Sequence, residues 1–446
     1  MNLFKTLHVP QARRYWIRQA RVPICFLPGG TKTAVDREGA TLIDLLVDNE
    51  RIAAIEPAGG TASADLPTVD LKAHHLWPTL IDMHAHLDKG HIVSRTENPD
   101  GSFAGALRSA AEDRARRCTA DDIKRRMEFG LRCAYVHGVA AIRTHLDSPE
   151  LNQAQRSWAV FREARAEWAD RILLQAVALV PIDAFRTPYG EELADLVAAS
   201  GGILGAVTRA VGGVHDRLLD DIDSLLDTIL RLAAERGLDV DLHVDESGDP
   251  AATALAHVAA AVLRNRFKGR VVCGHCCSLA VQPEEQIRRT LDLCAEAGIA
   301  IVTLPTVNLY LQDRSDGRTP RWRGVTPVHE MRHRGIPVAI AGDNCRDPFH
   351  AYGDHDMVDT FRQAARILHL DHPFGDAVAM AGPVPQAIIA AGQLGTITKG
   401  GAARLILFNA RTLNELMCRP QSDRLVIDRA RRVPAELPDY GDLDGV

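Results

Sequence analysis

Long apolar runs are missing from this chain. No stretch of its 446 residues approaches the roughly 20 apolar residues that a membrane span requires. Met1 to Ala20 is polar and basic, without the apolar centre of a signal peptide. These absences predict a cytoplasmic protein that does not engage a membrane. An excess of one charge is missing too. Lys and Arg number 52 against 58 Asp and Glu, mixed along the chain, for a net charge of -6, so no basic face invites nucleic acid. Nine cysteines, an odd number, argue against a disulfide framework and for reduced thiols. There is no internal repeat and no low-complexity segment. What remains is a partner class of small-molecule substrates, and nothing in the pattern argues against a homo-oligomer.

What is present is ordinary globular material, 46% hydrophobic and 25% charged, with ample length for a large core. Short strand-like runs with turns occupy the beginning: Pro23 to Leu27, Leu42 to Val47 and Arg51 to Glu56, the last two joined by the turn Asp48-Asn49-Glu50. The same style returns at Ala403 to Phe408 and Arg424 to Ile427, with Val433 as an extension. Between these ends, eight apolar runs of strand length alternate with amphipathic stretches. The runs are Leu76–His84, Val139–His145, Ile172–Val180, Ile203–Val207, Leu238–His243, Arg270–His275, Ile299–Leu304 and Ile336–Ala341. Continuous apolar strands separated by helices mean parallel strands buried on both faces, and eight units favour closure into a barrel over an open sheet. A doubly wound sheet is the competitor, but no Gly-rich phosphate motif follows any of these strands. The expected fold is α/β: a (β/α)8 TIM-type barrel over 73–395, with a small β-sandwich domain built from both termini, 1–72 and 396–446.

Barrel active sites lie at the C-terminal ends of the strands, and five of the eight ends here carry ligand-type residues. The first ends in His84-Ala85-His86, the second in His145-Leu146-Asp147, the fifth in His243-Val244-Asp245-Glu246, the sixth in Gly274-His275 and the eighth in Gly342-Asp343-Asn344. His84 and His86, two apart on a strand, point to one face and can grip one ion. His243 can ligate while Glu246, three residues on, moves protons. His275 stands among Cys273, Cys276 and Cys277, which read as small core residues because no second ligand cluster follows. Asp343 reads as a ligand, with a helix N-cap as its alternative. Imidazole nitrogen with carboxylate oxygen suits zinc or iron.

These stretches resemble the amidohydrolase superfamily, and within it the cytosine deaminase subgroup. The resemblance rests on His84-Ala85-His86-Leu87-Asp88-Lys89, Arg143-Thr144-His145-Leu146-Asp147, His243-Val244-Asp245-Glu246 and His275. It continues through Val307 to Gln312 with Arg314, Arg323-Gly324-Val325-Thr326 and Gly342-Asp343-Asn344 with Asp347-Pro348. It implies His84, His86, His243 and Asp343 as metal ligands, Glu246 as proton shuttle, and His275 as the group that holds or polarises the attacking water, with Asp343 also counted among the catalytic groups. The substrate side is assigned to Asn344, Phe349, Gln312 and Asp88. Binuclear members bridge two ions with a carbamylated lysine on the fourth strand. This chain has no lysine between Lys124 and Lys268, so one divalent metal, zinc or iron, is expected.

Departures fall on the residues that would read cytosine. The subgroup's glutamine after the third strand is absent from Ala178-Leu179-Val180-Pro181-Ile182-Asp183, its second aspartate is Asn344 here, and its tryptophan is Phe349. The resemblance therefore implies an aminohydrolase of a small nitrogen heterocycle in which cytosine is a poor substrate. The alternative is a hydrolase of cyclic amides or N-alkylamino C–N bonds, as in triazine-type amidohydrolases.

Overall fold

The structure, a computed structural model, describes residues 7–30, 33–60, 65–216, 218–419 and 424–444. Its strands in chain order are β1 (Arg14–Pro23), β2 (Ala40–Asp48), β3 (Arg51–Pro57), β4 (Thr68–Asp70), β5 (Leu76–Pro78), β6 (Leu80–Ala85), β7 (Val139–Asp147) and β8 (Leu173–Leu179). They continue with β9 (Leu204–Val207), β10 (Val240–Val244), β11 (Val271–His275), β12 (Ala300–Thr303), β13 (Val338–Ile340), β14 (Leu405–Phe408), β15 (Arg424–Asp428) and β16 (Arg431–Arg432). The longer helices are α1 (Phe103–Arg117), α2 (Ala120–Val136), α3 (Leu151–Trp168), α4 (Tyr189–Ala199), α5 (Ile222–Arg236), α6 (Ala254–Arg264), α7 (Glu284–Ala297) and α8 (Met357–Ile367). Among the described residues, no helix is long and apolar enough to cross a membrane.

The described residues divide into two compact units. One is drawn from Met1–Ile81, Arg132–Ala141 and Asp356–Pro438, the other from Asp82–Leu131, Ile142–His355 and Asp439–Val446. The first unit holds two four-stranded sheets, ordered β3-β2-β1-β4 and β16-β15-β14-β5. Trp77 on β5 anchors its core, with Phe408 at 5.0 Å, Phe26 at 5.6 Å and Phe361 at 6.1 Å between ring centroids. The hairpin at Asp48-Asn49-Glu50 is present, with Asn49 at φ 50°, a value Asn tolerates better than most residues. The strand expected at Pro23–Leu27 is not there. Pro23 ends β1, and Ile24–Phe26 forms a 3-10 turn. The true strand lies earlier, with Tyr15, Trp16, Ile17, Ala20 and Val22 among its buried positions, while Arg14, Arg18 and Gln19 break the period.

The second unit carries the apolar strands. All eight expected runs form strands, ordered β6-β7-β8 in one sheet and β13-β12-β11-β10-β9 in another, the latter parallel throughout. Isolated parallel bridges join Val177 to Ile203 and Ala85 to Asp343, beyond the edges of both sheets. The helix α1 was not expected from the sequence. Ser102 caps it by accepting the Gly105 N–H at 2.9 Å, and Ala106 and Ala110 bury its inner face against Val307, Leu311 and Phe349.

Candidate active site

Ligand-type side chains converge at one end of these strands. His84 lies on β6 and His86 just beyond it, on the same face by the strand's two-residue period. His243 lies on β10 and Asp343 three residues after β13. His84 Nε2 is 3.1 Å from His243 Nε2 and 3.6 Å from Asp343 Oδ1, and His86 Nε2 is 3.0 Å from the same oxygen. All four side chains are buried. Burial, reinforced by neighbouring rings, holds His84 and His243 well below the usual imidazole range, and burial with Lys89 does so for His86. The rings are therefore neutral and present lone pairs.

His275 and Glu246 stand beside this cluster. His275 ends β11; its Nδ1 is 3.0 Å from Asn308 Nδ2 and 3.5 Å from Glu246 Oε1. With Asn308 donating to Nδ1, the ring proton sits on Nε2, which has no partner. Glu246 follows β10, and burial pushes its carboxyl above the usual range, opposed by the Arg209 and Lys89 cations. Four non-glycine residues at these strand ends are left-handed: Asp245 at φ 50°, His275 at 67°, Cys276 at 51° and Asp343 at 66°. Such backbone is sparsely populated and collects at functional sites. Gly274, opposite His243 in the ladder, is glycine for a steric reason: a Cβ there would lie 3.0 Å from His84 Cε1.

The sequence profile of the amidohydrolase family matches residues 205–437. A pterin deaminase of Rhizobium rhizogenes (strain K84) is 49% identical over 438 residues, 98% of each chain. The chain belongs to the amidohydrolase family. An N-isopropylammelide isopropyl amidohydrolase of Pseudomonas sp. (strain ADP) is 27% identical over 327 residues, 72% of this amidohydrolase and 75% of that protein. Among solved structures, 5-methylcytosine deaminase of Klebsiella pneumoniae with 5-fluorocytosine superposes with a TM-score of 0.78 at 22% identity, covering 95% of this chain and 98% of that one.

Family membership makes this amidohydrolase a metal-dependent hydrolase, and its own residues fit an ion. Among the described residues, neither oxygen of buried Asp343 accepts a hydrogen bond, and the Nε2 atoms of the neutral His84, His86 and His243 rings face this carboxylate or one another. Lone pairs crowded in this way are costly unless something positive sits among them. His84, His275 and Asp343 also bring ligand atoms within 4.8 Å of one another, as do His84, His145 and His243.

A cavity of about 510 Å³ opens onto this cluster. Leu179, Val180 and Pro181 form one apolar wall, Phe103, Leu107 and Phe349 another, and His86, His243, Glu246 and His275 lie at its floor. Of the four residues assigned to substrate, Asn344 and Phe349 line this cavity, whereas Gln312 and Asp88 are not among its lining residues. Gln312 Nε2 donates to the Glu246 backbone oxygen at 3.4 Å, and Asp88 Oδ2 accepts the Asp147 N–H at 2.8 Å. Gln312 thus holds the Glu246 backbone and Asp88 the Asp147 backbone, two residues that do line the cavity. Phe349 faces the cavity with Lys89 Nζ 5.0 Å from its ring centre, while Asn344 Nδ2 donates to Asp347 Oδ2 at 2.6 Å.

Several residues at the site lay outside the expected set. His145 stacks 3.9 Å from the His84 ring and approaches Asp241 Oδ1 at 3.4 Å, so it orients a ligand ring. Asp147 pairs with Lys89 at 3.3 Å and Arg114 at 2.7 Å on the cavity wall. Their motif positions were visible in the sequence, but their pairing was not. Arg209 also lines the cavity, and no motif marks it.

Proposed function

We propose that this amidohydrolase is a deaminase whose substrate is a pterin, acting with one zinc or iron ion on His84, His86, His243 and Asp343. The single observation that carries the reading is the convergence of those four side chains at the base of an apolar-walled cavity, where His86 and His243 line its floor with Glu246 and His275, and His84 and Asp343 meet them from below. The 49% identity to a pterin deaminase along nearly the whole of both chains supports the substrate class. We also propose that β6 to β13 close as one eight-stranded barrel over 73–395. The bridges Val177–Ile203 and Ala85–Asp343 support that closure, and the likeness to 5-methylcytosine deaminase supports the fold. The two four-stranded sheets make up the β-sandwich expected from 1–72 and 396–446, with β5 (Leu76–Pro78) added to it from beyond those bounds.

An ion held by these ligands supplies Lewis acidity, which brings the pKa of a water from about 15.7 toward about 7. Glu246 takes the proton as the water oxygen attacks the amino-bearing ring carbon, and returns it to a ring nitrogen. Its environment suits both directions, because burial favours the protonated acid while Arg209 and Lys89 favour the carboxylate. The His275 Nε2–H donates to the oxygen as charge develops on it, and Asn308 holds that tautomer. The second proton of the attacking water then passes through Glu246 to the amino nitrogen, the C–N bond breaks as the ring C=O forms, and ammonia leaves. Apolar walls at Leu179-Val180-Pro181 and Phe349 sandwich the ring and exclude water.

The test is release of amine from pterin, cytosine and an N-isopropylamino-triazine by the purified holoenzyme. Ammonia from pterin, with kcat/KM well above that for cytosine, is expected. Isopropylamine release with none from pterin overturns the substrate and favours the relative at 27% identity.

A further inference from the structure

A second group of ligand-type side chains meets in the same unit, apart from the catalytic cluster. His91 follows β6, and Cys345 and His355 follow β13. Their exposures are 4%, 4% and 6%, and one ligand atom from each lies within 4.8 Å of the others. His91 Nε2 and His355 Nε2 face each other at 3.2 Å. Two imidazole nitrogens on a tetrahedral zinc, each about 2.0–2.1 Å from it, stand about 3.3–3.4 Å apart. The His84–His243 pair at the catalytic floor shows the same approach, 3.1 Å.

Two local features serve this meeting. The His355 backbone N–H is directed at the Cys345 sulfur, the outer contact that steadies a thiolate ligand. Gly130 lies inside α2, where glycine costs roughly 1 kcal/mol relative to alanine. A Cβ there would come within 2.9 Å of His355 Nε2 and 3.1 Å of Leu87 Cδ2. Glycine at this point is what lets the His355 ring approach His91.

We propose that His91, Cys345 and His355 form a structural site for a thiophilic divalent ion of the zinc class, distinct from the catalytic ion. Binding forms one S–metal and two N–metal bonds and releases the Cys345 thiol proton to solvent. The site closes the loop from 345 to 355, which presents Phe349 to the cavity, and pins it to the segment after β6. Two backbone hydrogen bonds already run along that seam, His91 N–H to Cys345 O at 3.0 Å and Val93 N–H to Arg346 O at 2.9 Å. The site therefore holds the apolar wall of the cavity without touching substrate.

Cobalt(II) reports on it directly, because the catalytic ligands contain no sulfur and a thiolate-to-cobalt charge-transfer band can arise only from a cysteine. Holoenzyme produced in cobalt-supplemented medium should show that near-ultraviolet band and two cobalt ions per chain. Cys345→Ser should lose the band and one ion while keeping the far-ultraviolet dichroism. His91→Gln, which keeps the thiol, should need at least tenfold more cobalt to reach the same band, and it decides the matter if the serine variant does not fold. Absence of the band in the wild type, or a band unaffected by both substitutions, overturns the proposal.

Discussion

Replacing Glu246 with glutamine isolates proton transfer from everything else at the site. The amide matches the carboxylate in size, so no cavity opens at a position only 7% exposed. The contact that Glu246 makes with Gln312 uses its backbone oxygen and survives. Burial disfavours the charged carboxylate, so a neutral amide costs little stability. What disappears is a positioned acid and base, a factor of about 10²–10⁴ in rate, or about 2.7–5.4 kcal/mol at 1.36 kcal/mol per tenfold. The assay combines kcat for ammonia release with metal content and Tm on the same preparation. Metal content and Tm should stay near the wild-type values while kcat falls at least a hundredfold. If kcat stays within tenfold with the metal retained, Glu246 is not the shuttle. The neighbouring Asp245 cannot stand in for it, since its two oxygens accept the Ala254 and Leu255 N–H groups at 2.9 and 2.8 Å and cap α6. Asp245→Asn should therefore lower Tm and leave the metal-loaded kcat comparatively intact.

Gly274→Ala should push the His84 ring off its position and weaken the catalytic metal by about 10–100-fold, the usual scale for a disturbed ligand support; unchanged metal affinity by titration would remove the steric argument. Asp122 accepts from both Arg95 and Arg126, and Arg126 is 1% exposed, so Asp122→Ala strands a buried cation and should cost about 3–5 kcal/mol in denaturant melts. His75 has its pKa lowered from 6.5 to about 3, first by burial and then by Arg21. The unfolded chain thus binds the proton first. Stability from this group is complete above about pH 6.5 and is lost as pH falls toward 3, about 5 kcal/mol in all. His75→Leu should shift the acid-unfolding midpoint to lower pH, and an unmoved midpoint counts against burial as the cause.

The periodic parts of the fold were legible because periodicity is local. Eight apolar runs longer than a turn and rich in Val, Ile and Leu can only be strands buried on both faces, and all eight formed. β1 was misplaced because Arg14, Arg18 and Gln19 break its pattern, and α1 was missed because its small buried face reads as polar sequence until Phe349 and Leu311 pack on it. The ligand-type residues were recognisable as types at strand ends, where His-x-His places two rings on one face whatever lies elsewhere in the chain.

By itself, the sequence determined the eight apolar strands, the residue types at the strand ends and the missing lysine between 124 and 268, all properties of short segments. Only the tertiary structure decided which of those residues meet. His84 and His243 are 159 positions apart and stand 3.1 Å from each other, and no local pattern carries that distance. It also separated Asn344 and Phe349, which line the cavity, from Gln312 and Asp88, which bond to the backbone of lining residues. His91, Cys345 and His355 read as three unrelated loop residues until the chain brings them together. The physical reason is the same in each case. Secondary structure follows from interactions within a few residues, whereas a site is set by side chains from distant segments that share one buried space, and their distances exist only after the core has packed.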